Sequence, residues 1–220
     1  MASQAKDQPF KKYLCWFLLC TIIFVASTFA HECGHGLSFA LIGQPVSTGF
    51  NRIGNAYTFP KEADFRTNLN LDANSLNDLG VPVTLLLAIT FTVIYRKYRV
   101  KSTVAQTAIL SVALCNSIIR LVPALLTCIL PVFTGKPHME DELQTGLVLK
   151  RLLGVNAIAY LPPILSIVIS GLCLFFIIRK VYQVGIQHFK IYASIFIGAY
   201  ILSFVLESIL DNYIRINWIF

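Results

Sequence analysis

Residues 13–42 of the chain read YLCWFLLCTIIFVASTFAHECGHGLSFALI, a long apolar stretch that contains a short group of ionisable residues. Residues 13–30 carry no charge, and about 20 consecutive apolar residues suffice to cross a bilayer as a helix. The apolar pattern resumes after His35, so the stretch predicts one helix over about 13–42. At 1.5 Å per residue, that helix measures about 45 Å and must tilt or project from the bilayer.

The rest of the chain has the same apolar character. Of its 220 residues, 56% are apolar and 13% are charged, and the formal net charge is +7. Too little charge remains to cover a water-soluble surface, which excludes an ordinary soluble domain, a disordered chain and a coiled coil. A cleaved signal peptide ending near Ala30 is the alternative for the first apolar run. The further apolar runs favour an all-α polytopic membrane protein.

Four further apolar runs predict about five membrane-spanning helices in total. They cover 79–95, 102–121, 156–178 and 191–210. We expect the third span to kink near Pro123 and to continue to 133 as a helical or re-entrant piece, with two crossings as the alternative. We expect the fourth span to be interrupted at Pro162-Pro163.

Two polar segments, 43–77 and 134–154, connect these spans. Within the first, residues 46–50 and 56–59 predict the strands of a small β-hairpin. Within the second, residues 141–153 predict a short helix.

The distribution of basic residues predicts the orientation in the membrane. With five crossings, the tail 1–12 and the segments 96–101 and 179–190 share one side of the bilayer. These segments hold ten of the eighteen Lys and Arg residues: Lys6, Lys11, Lys12, Arg96, Lys97, Arg99, Lys101, Arg179, Lys180 and Lys190. Short basic loops stay cytoplasmic, so we expect a cytoplasmic N-terminus and a C-terminus on the far side. Membrane orientation also explains the clustering of these basic residues in short segments better than nucleic-acid binding does.

The pattern His31-Glu32-Cys33-Gly34-His35 carries the sharpest chemical signal. On a helix, positions i and i+4 share one face, so both imidazoles can reach a single ion. Neutral imidazole suits Zn²⁺. Glu32 is then placed to accept a proton from water at the metal. Charged groups inside an apolar helix are costly, and they tend to persist only for function. Two polar histidines near the membrane surface, with Glu32 pairing a basic residue, are the alternative.

An apolar first helix that runs into HECGHGLSFALIG resembles the site-2 protease family of intramembrane zinc metalloproteases. The segments 79–85 (LGVPVTL) and 115–123 (CNSIIRLVP) are similar to the family's Gly-Pro-rich start of the next span and to its Asn-to-Pro segment. The resemblance implies a zinc metalloprotease core over 13–154, between the tail 1–12 and two C-terminal spans in 155–220, all in one membrane-embedded domain. It also implies an active site facing the cytoplasm, whereas the charge distribution predicts the opposite face.

The family pattern places the third metal ligand, an Asp, after the Asn-to-Pro segment. Asp141 is our choice, because the loop 134–154 falls on the same membrane side as the end of the first span. Glu142 and His138 are rivals within that loop, and Asp211 is a distant rival at the outer end of the last span. The alternative for Asp141 and its acidic neighbours is that they complement a helix N-terminus.

Two polar residues of the third apolar run complete the candidate site. Arg120 at this depth needs a partner, such as Glu207 or a backbone carbonyl, or it stabilises an oxyanion during hydrolysis. The resemblance implies a substrate contact for Asn116, and an interhelical hydrogen bond is the alternative.

These patterns predict a zinc-dependent metalloendopeptidase that hydrolyses a peptide bond in or near the membrane. Its partners would be the lipid bilayer and a membrane-associated protein or peptide substrate, without nucleic acid. Two other classes stay open. One is a non-proteolytic scaffold or chaperone that keeps a zinc-like site, and the other is a membrane metal carrier.

Overall fold

The computed structural model describes residues 8–56, 79–98, 103–184 and 189–219. These residues form six α-helices: α1 Gln8–Leu41, α2 Gly80–Lys97, α3 Thr103–Thr134, α4 Asp141–Leu153, α5 Leu161–Val184 and α6 Phe189–Leu210. All except α4 are long and apolar enough to cross a membrane. The prediction of an all-α polytopic fold is confirmed, and the chain is a multi-pass membrane protein.

The prolines disturb the helices less than the sequence suggested. Helix α3 continues through Pro123 and Pro131. Of the two expected forms for residues 122–133 the helical one is therefore present, and the re-entrant form and the alternative of two crossings are wrong. Neighbouring helices in a membrane can compensate for the backbone hydrogen bond that an internal proline removes. Pro162 and Pro163 lie in the first turn of α5, after a 3₁₀ helix over Asn156–Tyr160. They do not interrupt the helix, because the first-turn N–H groups have no intrahelical partner.

Helix α1 packs against α2, α3 and α6. Helix α5 packs against α2, α3 and α4 on the other side of α3. Trp16 near the start of α1 contacts Tyr192 near the start of α6, and Lys180 near the end of α5 donates to the carbonyl of Tyr95 near the end of α2. These helix termini therefore lie at one end of the bundle.

We call this end the basic end, because its described residues include seven of the cations noted above: Lys11, Lys12, Arg96, Lys97, Arg179, Lys180 and Lys190. The opposite end, where α1 finishes and α2 begins, is the site end. Lys6, Arg99 and Lys101 lie outside the described residues.

A three-stranded antiparallel sheet lies at the site end. Its strands are β1 Val46–Thr48, β2 Ile53–Asn55 and β3 Ile216–Trp218, in the order β2-β1-β3. The predicted hairpin is present, but its second strand precedes residues 56–59, of which 57–59 lie outside the described residues. Strand β3 was not predicted, because three residues at the end of an apolar segment give no periodic signal.

Candidate metal centre

Two imidazoles of α1 meet at the site end of the bundle. His31 and His35 are one helical turn apart and buried, with 4% and 6% of their surfaces exposed. Their ring centroids are 4.6 Å apart at an interplanar angle of 85°, and their Nε2 atoms are 3.0 Å apart. The i, i+4 spacing of the sequence motif therefore directs both ring nitrogens to one point.

Asp141 joins these two histidines from a distant part of the chain. It is the first residue of α4, and its Oδ2 atom is 3.0 Å from Nε2 of His31 and 3.5 Å from Nε2 of His35. Asp141 follows His31 by 110 residues. Of the acidic residues proposed from the sequence as third ligand, this is the one that the structure places at the imidazoles.

The three donor atoms fit the coordination sphere of a zinc ion. Bonds of about 2.0–2.2 Å at tetrahedral angles place neighbouring ligand atoms about 3.3 Å apart, and the observed separations are 3.0, 3.0 and 3.5 Å. A circle through the three atoms has a radius of about 1.9 Å, so a point about 1 Å out of their plane lies at bonding distance from all three. Two imidazole nitrogens and one carboxylate oxygen form a donor set typical of zinc.

Asp141 is held in its anionic form. Partial burial by itself would raise the pKa of this carboxyl group, but the hydrogen bonds from His31 and then from His35 outweigh burial. The pKa of Asp141 therefore lies well below its ordinary value. An ionised carboxylate is the form that binds a divalent cation.

Two glycines allow the helices to approach the imidazoles closely. A Cβ atom at Gly80, the first residue of α2, would lie 2.6 Å from Nε2 of His35 and 2.7 Å from Cε1 of His31. A Cβ atom at Gly34 would lie 2.8 Å from the carbonyl oxygen of Leu79. Real Cβ contacts are longer than this, so a larger residue at either position would force its neighbours to move. The start of α2 thus forms one wall of the centre.

Arg120 supports the acidic side of the centre. Its Nη1 atom is 3.5 Å from Oδ2 of Asp141 and 3.5 Å from Oε1 of Glu142. The side chain of Arg120 is 6% exposed and that of Glu142 is fully buried. The expected pairing of Arg120 with Glu207 is not observed, since the first turn of α4 supplies its carboxylate partners. These contacts favour a positioning role for Arg120, and its oxyanion role stays a prediction.

Glu32 and Asn116 are both buried near this centre. Glu32 follows His31 in α1 and is 8% exposed. Asn116 is fully buried, and its Nδ2 atom donates to Oγ of Ser27 in α1 over 3.0 Å. This is the interhelical hydrogen bond that was the alternative for Asn116. Its role as a substrate contact stays a prediction.

The rival ligands have other partners. Asp211 accepts hydrogen bonds from the backbone N–H groups of Phe50 and Asn51 and lies 3.6 Å from Nε of Arg52, so it binds the turn between β1 and β2. His138 pairs with Glu140 at 2.9 Å. Glu142 faces Arg120, as described above.

Sequence reasoning did not assign roles to Gly34, Gly80 or Trp218. Trp218 of β3 packs its indole against Gly36 of α1, one residue beyond His35, and its Nε1–H donates to Oγ1 of Thr48 over 2.9 Å. The Gly-Pro pattern at the start of α2 gave a signal for Gly80, although its reason lies in the tertiary contact. No local pattern indicated Trp218.

The fold and this site together define a multi-pass helical membrane protein in which two buried histidines and a partly buried aspartate form a cluster at one end of the bundle. No protein-family model, curated protein or solved structure matches the chain.

Proposed function

We propose that the chain is an integral-membrane zinc metalloprotease of the site-2 protease type. The observation that carries the proposal is the convergence of His31 Nε2, His35 Nε2 and Asp141 Oδ2 within bonding range of one point. Three protein ligands leave the fourth position of a tetrahedral zinc ion open, which distinguishes a catalytic site from a structural one.

Zinc bound here would polarise the scissile carbonyl group and lower the pKa of the attacking water. The chain's own residues supply the remaining functions. The Glu32 carboxylate accepts a proton from the attacking water and delivers it to the leaving nitrogen as the C–N bond breaks. His31, His35 and Asp141 fix the reaction centre, and Arg120 holds Asp141 in place through its 3.5 Å contact.

The substrate is a peptide segment that reaches the site end of the bundle. His31 and His35 lie ten and six residues before the end of α1, which places the centre about 9–15 Å from that end along the helix axis. Such a position suits a membrane-associated segment or a peptide close to the membrane face. Water must also reach this polar cluster, because hydrolysis requires it and the hydrocarbon core of the bilayer contains none.

The basic end of the bundle supports an orientation with the N-terminus in the cytoplasm and the site end on the far side. Cysteine labelling in intact cells tests this orientation, in a background from which the exposed cysteines have been removed. In that background, Lys12→Cys and Arg179→Cys should react only with a membrane-permeant maleimide. Lys136→Cys should react with an impermeant one. The reverse labelling pattern would contradict the orientation.

Metal analysis of the purified full-length chain tests the proposed centre. We expect about one zinc ion per chain in the wild type, and loss of zinc in both His35→Ala and Asp141→Ala. His138→Ala and Asp211→Ala serve as matched controls, because these residues have partners outside the centre. The controls should keep their zinc.

Two results would contradict the ligand assignment: unchanged zinc in Asp141→Ala, or an equal loss in His138→Ala. Incubation with a mixture of model peptides in lipid–detergent micelles, followed by mass spectrometry of the products, then tests hydrolysis. Zinc binding without cleavage would favour the scaffold, and zinc uptake into sealed vesicles would favour the metal carrier.

A further inference from the structure

A cleft opens between α5 and α6 in the basic half of the bundle, away from the metal centre. Helix α5 packs against α2, α3 and α4, and α6 packs against α1; among the described residues α5 and α6 make no extended contact with each other. The cleft has a volume of about 610 Å³. Its floor is formed by α1 and α3, and the lining includes Trp16, Leu110, Leu114, Ile177, Phe196 and Ile197.

The lining of the cleft is almost wholly apolar, which favours a hydrocarbon occupant. The volume of the cleft falls within the range of about 300–1,000 Å³ that is typical of small-molecule sites. A transmembrane helix with its side chains is about 10–12 Å across, and a cleft of this volume would hold little more than one turn of it. A single flexible chain fits the space better than a partner helix.

The open end of the cleft carries aromatic rings and positive charge. Tyr13, Trp16 and Tyr192 form edge-to-face pairs with centroid distances of 5.3 and 5.9 Å. Such amphipathic rings lie at the headgroup level of a bilayer. Lys12 lies one helical turn before Trp16, and Lys190 lies one turn before Ala193, which lines the cleft. Both lysines are exposed.

We propose that this cleft binds one acyl chain of an anionic phospholipid whose headgroup lies at Lys12 and Lys190. The hydrocarbon chain covers the apolar walls of α5 and α6, and the phosphate meets two cations at the depth of the aromatic rings. Exposed Lys and Arg near a membrane surface each contribute about 1 kcal/mol to binding of anionic lipid. The site is independent of the metalloprotease proposal, since none of its residues belongs to the metal centre.

Native mass spectrometry of the full-length chain tests this site. The protein is released from nanodiscs that contain equal amounts of phosphatidylglycerol and phosphatidylcholine with the same acyl chains. We expect a retained phosphatidylglycerol adduct in preference to phosphatidylcholine. Lys12→Gln and Lys190→Gln should each weaken that preference by about fivefold. Lys136→Gln, at the site end, is the matched control and should leave it unchanged.

A second pair of variants tests the cleft itself. Ala193→Phe fills the cavity and should remove the adduct, whereas Leu86→Phe, on the lipid-facing side of α2 where Leu86 is 62% exposed, should keep it. Thermal unfolding of both variants checks that they fold.

Three results would overturn the proposal. Equal retention of the two lipids would remove the role of the lysines, and an adduct that survives in folded Ala193→Phe would place the lipid elsewhere. A dimer in wild type that dissociates in Ala193→Phe would identify a second copy of the chain as the occupant. If Ala193→Phe does not fold, the lysine variants and the wild-type lipid preference decide the question.

Discussion

The amino-terminal half of α1, residues 10–26, and its carboxyl-terminal half, residues 27–41, bury different chemistry within one continuous helix. In the first half, Trp16, Cys20 and Phe24 pack with apolar side chains of α3 and α6. In the second half, most buried side chains are polar or ionisable: Ser27, His31, Glu32, His35 and Ser38, with Phe39 as the buried apolar exception. The first half therefore builds the bundle by side-chain packing, and the second half holds groups that a membrane accepts only at a high free-energy cost.

We call residues 10–26 the packing half of α1 and residues 27–41 its site half. Contacts with other helices explain how the site half can keep ionisable groups inside the bundle. Both of its imidazoles lie beside Asp141, and Arg120 lies beside Asp141 and Glu142. Removing a partner should therefore affect the site half far more than a similar change affects the packing half.

Glu32→Gln should have the largest effect on activity and little effect on structure. The amide keeps the size of the side chain but cannot accept a proton, and general-base catalysis typically contributes about 10²–10⁴-fold to the rate. We expect peptide cleavage to fall by that factor while zinc content and thermal stability stay near the wild-type values. Cleavage is measured by mass spectrometry and zinc by elemental analysis.

The matched control is Glu140→Gln, which changes a carboxylate that pairs with His138 outside the centre. Wild-type cleavage by Glu32→Gln would remove Glu32 from the mechanism, although the metal ligands would be unaffected.

Arg120→Met should destabilise the bundle strongly. It leaves the fully buried carboxylate of Glu142 without its cation, and breaking a buried ion pair on one side costs about 3–5 kcal/mol. Replacing both partners, in Arg120→Met with Glu142→Leu, should recover most of this loss, because the fully buried carboxylate is removed and Asp141 keeps its contacts with His31 and His35. Thermal unfolding in detergent micelles measures both variants.

Arg179→Met, an exposed arginine at the basic end, is the control and should unfold like the wild type. If the double variant is as unstable as Arg120→Met alone, the pair with Glu142 is not the source of the stability.

The sequence was sufficient for the local part of the site and for the span count, and insufficient where distant segments meet. The spacing of His31 and His35 is a property of one helix, so it could be read directly. The placement of Asp141 followed from a family resemblance and from membrane sidedness, and the structure brings it to the imidazoles. Asp211 fulfilled the same sidedness criterion, but its role depends on the β1–β2 turn, which no local pattern places beside α6.

The sequence also did not reveal why α2 begins with a glycine. Gly80 follows a polar loop, and its sequence neighbours do not reveal that two imidazoles lie against it. Strand β3 pairs with β1 across about 170 residues of sequence, and three residues of strand give no periodicity to detect.

Gly80→Ala should weaken zinc binding without unfolding the bundle. The added methyl group would lie 2.6 Å from Nε2 of His35, so the imidazole must move away from the shared point. Changes in groups that orient metal ligands typically reduce metal affinity by about 10–100-fold. Competition with a chromophoric zinc chelator measures the affinity.

Gly171→Ala in α5 is the control, because a Cβ atom at Gly171 meets nothing within 4 Å. It should bind zinc like the wild type. Unchanged zinc affinity in Gly80→Ala would show that the ring contact does not shape the centre.

Trp218→Phe and Trp16→Phe should have the smallest effects of these substitutions. They compare the loss of one hydrogen bond beside the site half of α1 with the same loss beside the packing half. Each removes one indole hydrogen bond, from Trp218 to Oγ1 of Thr48 over 2.9 Å or from Trp16 to the carbonyl of Tyr192 over 3.1 Å. Each should lower the free energy of unfolding by about 0.5–1.5 kcal/mol. Thermal unfolding of the two variants measures this loss.

The zinc release rate should differ between these two variants although their stabilities are similar. The indole of Trp218 lies against Gly36, next to His35, so loosening β3 should speed zinc release to excess chelator. Trp16 packs against Tyr192 and Phe196 near the start of α6, at the basic end of the bundle, so Trp16→Phe should release zinc at the wild-type rate. Equal release rates would mean that β3 stabilises the fold without supporting the metal centre.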